Sequence, residues 1–288
     1  MSIVTRFAPS PTGYLHLGHV FSALIARRRA RDAGGRFLLR LEDIDPGRCR
    51  PEFSAAIEDD LAWLGIDWDG PVRVQSQHLP QYRAVLHTLA ARGLVYPCFC
   101  TRAEIAAEVA QSASAPHTPD GGPLYPGTCR GLSAAERAAR IARGDRYALR
   151  LDMARALAAV PGTLGFAEEG RGIVRCHPAR FGDAVLARKD APASYHLCVA
   201  HDDAVQGVTL VTRGIDLQSA TGLQRLLQEL MGWPAPAYAH HRLLTDHTGR
   251  RLAKRDNAAT VRALRAAGRT AEAIVNLAWE TGERFSAR

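Results

Sequence analysis

Long apolar segments and lysine are both scarce in this 288-residue sequence. It contains no run of 18 apolar residues, so we expect neither a membrane-spanning helix nor a membrane partner. The first residues also lack the charged and then apolar pattern of a secretory signal, which favours a cytoplasmic location. In that compartment the six cysteines are expected to be buried thiols or metal ligands, because disulfides are rare there.

Arginine carries nearly all of the positive charge. The sequence has 37 basic and 29 acidic residues, a formal net charge of +8, yet lysine occurs only at Lys189 and Lys254. The excess of positive charge is compatible with a polyanionic partner. In a chain that otherwise uses arginine, the two lysines indicate places where a compact, flexible ammonium group is useful.

Strand-like and helix-like segments alternate in the first third of the chain. The segment "IVTRFAP" predicts a buried strand, and a helix is expected from about Leu17 to Asp32. Its apolar stripe is expected to consist of Val20, Phe21, Leu24 and Ile25. A second strand, "RFLLRLED", precedes a helix from Glu52 to Leu64, and the helix "QYRAVLHTLAARG" follows with a glycine cap. This alternation is typical of a parallel sheet with crossover helices, and therefore of an α/β fold.

The alternation stops near Tyr96. Two capping boxes, Thr101 with Glu104 and Ser133 with Glu136, open short helices on either side of the polar stretch "QSASAPHTPDGGP". The strand "RYALRLD" follows, and the patterns resume with "SYHLCVAHDD", "VTLVTRG" and the helix "DLQSATGLQRLLQELMG". We therefore predict a sheet domain in two halves, at residues 1–95 and 181–245. An inserted α+β subdomain is expected at residues 96–180, and a C-terminal segment with short helices at residues 246–288.

Two histidines flank a glycine where the first of these helices begins. A helix N-terminus binds phosphate readily, because its N–H groups are unsatisfied and it carries about half a positive charge. His16 and His19 can donate further hydrogen bonds to phosphoryl oxygens, and Gly18 leaves room for a flat base against the backbone. These residues predict a nucleotide site, and two surface histidines at a helix start are the alternative.

A basic stretch, "RRLAKRD", lies near the other end of the chain, at residues 250–256. Most basic runs of this kind are solvated loops. This one has Lys254 at its centre, and a lysine on a loop can neutralise the charge of a leaving pyrophosphate in the transition state.

Together these motifs resemble the two signatures of class I aminoacyl-tRNA synthetases: "HLGH" after "RFAPSPTGYL", and "RLAKR". The "RFAPSPTG" lead-in and "RLEDID" (40–45) are similar to the glutamyl branch, and "WDG", "YPCFC", "SYHLCVAHDD" and "GVTLVTRG" extend the resemblance over most of the chain. The resemblance implies a Rossmann-like parallel sheet domain with an inserted subdomain and a short C-terminal helical extension. It also implies L-glutamate, ATP with Mg²⁺, and a tRNA as substrates.

The resemblance also assigns roles to individual residues. In this family a carboxylate attacks the α-phosphate of Mg·ATP to give an aminoacyl-adenylate and pyrophosphate, and the acyl group then passes to an RNA hydroxyl. The catalytic residues would be His16, Gly18, His19 and Lys254. The residues in contact with ATP would be His16, His19, Arg251 and Lys254. The glutamate site would consist of Arg6, Phe7, Ala8, Pro9, Ser10, Glu42, Tyr195 and Arg213.

The chemistry of a dicarboxylic substrate agrees with this assignment, since it needs arginine for its carboxylates and an acid for its ammonium group. On the residues alone, a core tyrosine at Tyr195 and a surface arginine at Arg213 are the favoured interpretation. Two positions depart from the family pattern. Arg251 replaces the usual first lysine of the loop motif and keeps its charge, so we expect activity to be retained. Val199 stands where full-length bacterial glutamyl enzymes tend to have asparagine, which would weaken glutamate binding.

The chain after the second signature is short. Only 33 residues follow Arg255, whereas a domain typically has ~100–150 residues. A glutamyl-tRNA synthetase needs a helical anticodon-binding domain there, so the chain resembles the truncated paralogues, the glutamyl-queuosine tRNA(Asp) synthetases. This implies tRNA-independent activation of glutamate and its transfer to queuosine at the wobble position of tRNA(Asp); we expect a monomer. The alternatives are a truncated glutamyl-tRNA synthetase that charges tRNA(Glu), and a non-catalytic paralogue that binds nucleotide or amino acid as a regulator.

Three cysteines of the predicted insert are candidates for a metal site. Cys98 and Cys100 form a Cys-x-Cys pair, which departs from the commoner Cys-x₂₋₄-Cys spacing of zinc sites. In the paralogues this pair, followed by Tyr-x₃-Cys, holds a structural zinc ion, and "CFC" with "YPGTC" matches that pattern. The resemblance thus implies one Zn²⁺ held by Cys98, Cys100, Tyr125 and Cys129; free cysteines, or His117 in place of Tyr125, are the alternatives. The remaining cysteines, Cys49, Cys176 and Cys198, are interpreted as ordinary thiols.

Overall fold

The computed structural model describes residues 2–110, 117–244 and 260–283. The strands in these ranges are β1 Val4–Phe7, β2 Arg36–Leu41, β3 Arg73–Val74, β4 Val95–Cys98, β5 Ala148–Leu151, β6 Gly165–Glu168, β7 Gly172–Arg175, β8 Val185–Ala187, β9 Leu210–Gly214 and β10 Ala237–His241. The α-helices are α1 Leu17–Asp32, α2 Pro51–Trp63, α3 Leu79–Ala91, α4 Arg102–Ala110, α5 Ala134–Ala142, α6 Met153–Ala158, α7 Tyr195–Val205, α8 Ala220–Met231, α9 Val261–Ala266 and α10 Ala271–Glu283.

Two groups of parallel strands lie side by side. In one, β1 pairs with β2 and β2 with β3, all in parallel. In the other, β10 lies between β9 and β6 in parallel, and β7 closes the edge as the antiparallel partner of β6. The backbone N–H of Thr209, just before β9, donates to the Val4 carbonyl at 3.0 Å, which places β9 beside β1. The order of strands along the chain therefore reverses between β1 and β9.

Helix α1 packs against β1 and forms much of the core on that side. Its buried residues include Val20 and Phe21, as the sequence pattern predicts, but the stripe continues through Ala23, Ala26 and Ala30. The predicted stripe members Leu24 and Ile25 are only partly buried. Small alanines on this face allow the helix to lie close to the strands, and α10 covers its other side.

A smaller antiparallel sheet joins β4, β5 and β8. The β8 strand follows the segment predicted as an insert, and β6, which belongs to that segment, pairs with β10 of the parallel sheet. Hydrogen bonds thus cross the predicted boundaries at 95 and 180, and the division into 1–95, 96–180, 181–245 and 246–288 stays a prediction.

The apolar core lies between the sheets and three helices. Tyr82 from α3, Leu197 from α7, and Leu223 and Leu227 from α8 are fully buried in its largest cluster. In the described part of the chain, no helix is both long and apolar enough to cross a membrane.

Candidate active site

The start of α1 holds its two histidines in a fixed arrangement. His16 is the N-cap, and its Nδ1 accepts from the Gly18 backbone N–H at 3.1 Å. The Nδ1 atom of His19 accepts from the His16 backbone N–H at 3.3 Å, and the two rings stack with centroids 3.8 Å apart. Because each Nδ1 accepts a hydrogen bond, the proton of each neutral ring lies on Nε2. Both rings therefore carry an N–H donor at the end of a helix that already favours anions.

Gly18 lies close against the capping side chain of His16. A Cβ at position 18 would lie 3.0 Å from Cε1 of His16, tighter than ordinary contacts. A side chain at this position would force the His16 ring to shift by a few tenths of an ångström. The glycine between the histidines thus has a structural reason that the sequence alone did not show.

A cavity of about 580 Å³ opens at the carboxyl ends of β1, β2, β9 and β10, beside the start of α1. In open α/β sheets, ligands bind at this edge, at the point where the strand order reverses. We call it the amino-acid cavity, after the substrate that the sequence resemblance implies. The predicted site residues that line it are Arg6, Phe7, Ala8, Pro9, Ser10, His16, Gly18, His19, Glu42, Tyr195 and Arg213.

Below the cavity lies a buried network of two arginines and two acids. Arg6 Nε lies 3.0 Å from Asp203 Oδ1, and Arg40 Nη2 contacts the same oxygen at 2.8 Å. Arg40 Nε lies 3.4 Å from Glu42 Oε1. Arg40 and Asp203 were not among the predicted site residues. They are the first residue of "RLEDID" and the last residue of "SYHLCVAHDD", and a charged residue inside a buried strand or helix was the available signal.

Burial dominates the ionisation of Glu42. Desolvation raises the pKa of its carboxyl group to about 7, although the positive charges of Arg40 and Arg6 act in the opposite direction. A cation in the cavity would favour the ionised form. Burial also raises the pKa of the Tyr195 phenol, so its hydroxyl group remains protonated at neutral pH.

Arg213 is held at the end of β9 by three neutral side chains. Its Nη1 donates to Gln224 Oε1 at 2.8 Å, and its Nη2 donates to Thr221 Oγ1 at 2.7 Å. Its Nε donates to His240 Nε2 at 3.2 Å. His240 in turn contacts Glu168, with Nδ1 2.7 Å from Oε2. Sequence reasoning missed His240 and Glu168, because β6 was not predicted and nothing in the pattern linked it to β10.

The second signature lies outside the described residues, and so do Arg251 and Lys254. The described residues on either side both approach the amino-acid cavity: Leu244 lines it, and Thr260 forms an antiparallel bridge with His16. Val261 N–H donates to the Leu15 carbonyl at 2.8 Å. Val199, by contrast, is buried in α7 and is not among the residues that line the cavity.

The three cysteines of the predicted metal site lie together. The Sγ atoms of Cys98, Cys100 and Cys129 are all within 4.8 Å of one another, and those of Cys100 and Cys129 are 3.4 Å apart. Tetrahedral zinc thiolates with Zn–S of ~2.3 Å place their sulfurs ~3.8 Å apart, so this spacing suits a zinc ion and is too long for a disulfide. Tyr125 Oη lies 3.8 Å from Cys100 Sγ. His117 is exposed and is not part of this cluster.

None of the six cysteines, all of which lie in the described ranges, forms a disulfide. Those outside the cluster, Cys49, Cys176 and Cys198, do not form a metal-binding group within the part of the chain that the structure describes.

A second cavity of about 840 Å³ adjoins the first, and we call it the insert cavity. The two share the lining residues Ser10, Thr12, Glu42, Arg48 and Tyr195. Its far wall comes from the predicted insert and the residues just after it, including Tyr125, Arg150 and Asp183. The Arg150 guanidinium lies 3.8 Å above the centre of the Tyr125 ring, so this wall is continuous with the cysteine cluster.

Comparison with known proteins agrees with this geometry. The family model described as "tRNA synthetases class I (E and Q), catalytic domain" matches residues 2–285. The chain is 50% identical over 274 residues to the glutamyl-Q tRNA(Asp) synthetase of Rhodobacter capsulatus, covering 92% of this chain and 96% of that protein. It is 46% identical to the protein of the same name from Nitratidesulfovibrio vulgaris, covering 91% and 81%.

Longer synthetases also match. The glutamate–tRNA ligase of Aquifex aeolicus is 37% identical over 98% of this chain, which spans 58% of that protein. The crystal structure of a glutamate tRNA ligase from Elizabethkingia meningosepticum in complex with its amino acid superposes with a TM-score of 0.75 at 29% identity. That match covers 89% of this chain and 52% of the ligase, so the chain spans about half of that solved structure. The chain belongs to the class I tRNA synthetases of the glutamyl and glutaminyl group, among the glutamyl-Q tRNA(Asp) synthetases, and is a ligase of the glutamate–tRNA type.

Proposed function

We propose that this enzyme activates L-glutamate with Mg·ATP, without tRNA, and then transfers it to queuosine at the wobble position of tRNA(Asp). The observation that carries the proposal is the amino-acid cavity, which places the paired imidazoles of α1 beside Arg6, Glu42 and Arg213. Its opening into the insert cavity provides space for an acceptor next to the activated carboxylate.

Recognition of glutamate follows from the charges around the amino-acid cavity. Arg213 keeps N–H groups available for a carboxylate, and Arg6 adds positive charge on the neighbouring strand β1. The Glu42 carboxylate binds the ammonium group, which relieves the cost of its own burial. Phe7, Ala8, Pro9, Ser10 and Tyr195 form the remaining contact surface.

Activation takes place at the helix end. A carboxylate oxygen of glutamate attacks the α-phosphorus of ATP, the bond to the bridging oxygen breaks, and pyrophosphate leaves. The Nε2–H groups of His16 and His19 stabilise the negative charge that develops on the phosphoryl oxygens. Lys254 and Arg251 neutralise the leaving pyrophosphate; this assignment comes from the sequence, since both lie outside the described residues.

Transfer takes place where the two cavities join. A hydroxyl oxygen of the queuosine cyclopentene diol attacks the glutamyl carbonyl carbon, and AMP is the leaving group. The names of the relatives from Rhodobacter capsulatus and Nitratidesulfovibrio vulgaris, of which the match covers 96% and 81%, support tRNA(Asp) as the acceptor. The matches to glutamate–tRNA ligases keep tRNA(Glu) as the second candidate.

Cys98, Cys100, Tyr125 and Cys129 would hold one structural Zn²⁺, as the sulfur spacing supports. The ion would fix the wall of the insert cavity. The enzyme would act as a monomer.

Pyrophosphate exchange tests the first step: glutamate, ATP and enzyme alone should exchange labelled pyrophosphate into ATP. Acceptor assays should follow with queuosine-containing tRNA(Asp), the same tRNA with guanosine at the wobble position, and tRNA(Glu). We expect product only with the queuosine form. Product with tRNA(Glu) alone would select the second candidate, and no exchange under any condition would leave the chain without the proposed activity.

A further inference from the structure

Three hydrogen-bonded side chains link β9, β10 and β6 behind the amino-acid cavity. Arg213 lines that cavity, whereas His240 and Glu168 do not. Both are nearly inaccessible to solvent, with side-chain exposures of 0% for His240 and 5% for Glu168. We refer to Arg213, His240 and Glu168 as the Arg–His–Glu chain.

The direction of the hydrogen bonds in the Arg–His–Glu chain is fixed by its two end residues, Arg213 and Glu168. The Nε–H of Arg213 can only donate, so His240 Nε2 is the acceptor at 3.2 Å. A neutral imidazole that accepts at Nε2 carries its proton on Nδ1, which then donates to Glu168 Oε2 at 2.7 Å. The other carboxylate oxygen accepts the His240 backbone N–H at 2.9 Å. Because an ionised carboxylate only accepts, Glu168 sets the tautomer of His240.

The same bonds determine what Arg213 can still offer. A guanidinium group has five N–H donors. One is used by His240, one by Gln224 and one by Thr221, which leaves one on each terminal nitrogen. Two donors on adjacent terminal nitrogens are what a carboxylate accepts in a bidentate pair.

The position of the negative charge of Glu168 is as important as the geometry of the hydrogen bonds to Arg213. No carboxylate that the structure describes forms an ion pair with Arg213. A direct partner would occupy the donors that the substrate needs, yet a buried cation without compensation is costly. Glu168 supplies its charge one imidazole away, so it stabilises the guanidinium group and leaves the cavity side open.

We propose that Glu168, acting through His240, is a positioning residue that holds Arg213 in the orientation needed to bind a carboxylate of the substrate. The inference rests on the proposed function, since it takes that carboxylate to belong to glutamate. Glu168 lies in β6, inside the segment predicted as an insert, so this segment contributes to the amino-acid site as well as to the acceptor side.

Substitution Glu168→Gln tests the inference. The carboxylate accepts two N–H groups from His240, and an amide has only one oxygen, so one N–H would face the amide nitrogen. His240 would then move, or change tautomer and present an N–H to the Arg213 Nε–H. In pyrophosphate exchange we expect the KM for glutamate to rise at least tenfold, with the KM for ATP within twofold of the wild type. Glu169→Gln is the matched control, because Glu169 is exposed and pairs with Arg29.

Two substitutions of His240 separate positioning from packing. In His240→Gln the amide oxygen lies near the former Nε2 and can still accept from Arg213. In His240→Asn the shorter side chain reaches Glu168 but not Arg213. We expect the Gln variant to keep clearly more glutamate affinity than the Asn variant, whereas a role in packing alone predicts no such order.

Arg213→Ala serves as the reference that distinguishes the two proposals. If it raises the KM for glutamate while Glu168→Gln does not, the positioning role is wrong and the amino-acid site stands. The positioning role is also wrong if the KM values for glutamate and ATP rise together, or if the Asn variant binds glutamate as well as the Gln variant. If the wild type shows no glutamate-dependent exchange, or Arg213→Ala leaves the KM for glutamate unchanged, the proposed glutamate site fails and the inference fails with it.

Discussion

Ionisable side chains at the amino-acid cavity are buried together rather than exposed. Arg6, Arg40, Glu42 and Asp203 are each less than a tenth exposed and contact one another within 3.4 Å. Burying charges costs free energy unless they are paired and hydrogen bonded. Here the pairing is incomplete for Glu42, whose raised pKa shows that its charge is not fully compensated. A positive charge bound in the cavity would compensate it.

Glutamate binding should therefore depend on pH through Glu42. Its pKa is raised to about 7, so the carboxylate is ionised above that pH and protonated below it. Only the ionised form accepts the ammonium group, and affinity is lost as the pH falls through 7. We expect the Kd for glutamate, measured by calorimetry without ATP, to be about tenfold higher at pH 6 than at pH 8.

The control for this prediction is Glu42→Gln, which should bind glutamate more weakly at both pH values and with little difference between them. A wild-type Kd that is equal at pH 6 and pH 8 would contradict the assignment of Glu42. So would the same pH dependence in the variant.

At the scale of elements, α10 and α1 approach each other closely because of a glycine. A Cβ at Gly282 would lie 2.0 Å from Cε2 of Phe21, well inside contact distance. Phe21 also lines the amino-acid cavity, so the position of α10 supports the wall of the site.

Gly282→Ala should destabilise the protein even though alanine favours helices by ~1 kcal/mol over glycine. Overpacking a core typically costs ~1–3 kcal/mol, and the contact with Phe21 is severe. We expect the free energy of unfolding, from denaturant titration, to fall by about 1–2 kcal/mol. Gly131→Ala is the control, since a Cβ there meets nothing within 4 Å and should change stability by less than ~0.5 kcal/mol. Equal or greater stability of the Gly282 variant would contradict the packing argument.

Elements with strong local signals were predicted well from the sequence. The predicted helix from Leu17 to Asp32 matches α1, and the capping box of Ser133 with Glu136 opens α5 as predicted. Periodicity and caps are local properties, which explains this success. The short strands β6 and β8 were missed, because they are held by pairing with strands distant in sequence. Strand β7 was missed with them, since it pairs with β6.

The same distinction applies to the site. Residues within contiguous motifs, such as His16, His19 and Glu42, could be selected from the sequence and lie together at one cavity. Asp203 and Glu168 act through contacts across 197 and 72 residues of sequence with Arg6 and His240. Such partners are created by the topology of the sheet, so only the structure reveals them.

At the scale of the whole molecule, the two steps of the proposed reaction take place at cavity walls formed by different parts of the chain. The amino-acid cavity is lined entirely by residues outside 96–180, whereas the insert cavity includes Tyr125 and Arg150 from that segment. The cysteine cluster lies behind this second wall, in contact with Tyr125. A metal ion there would hold the acceptor side of the enzyme without touching the site of activation.

Loss of the metal should therefore impair transfer much more than activation. We expect elemental analysis of the wild type to give about one zinc per chain, and Cys129→Ala to lose it. Because Tyr125 and Arg150 would lose their fixed position, transfer of glutamate to tRNA should fall at least tenfold, while pyrophosphate exchange stays within about threefold. Cys176→Ala is the control, since this buried thiol is outside the cluster and should leave both zinc content and transfer unchanged. A metal-free wild type that is fully folded would contradict the zinc site, and an equal loss of exchange and transfer in Cys129→Ala would contradict the separation of the two walls.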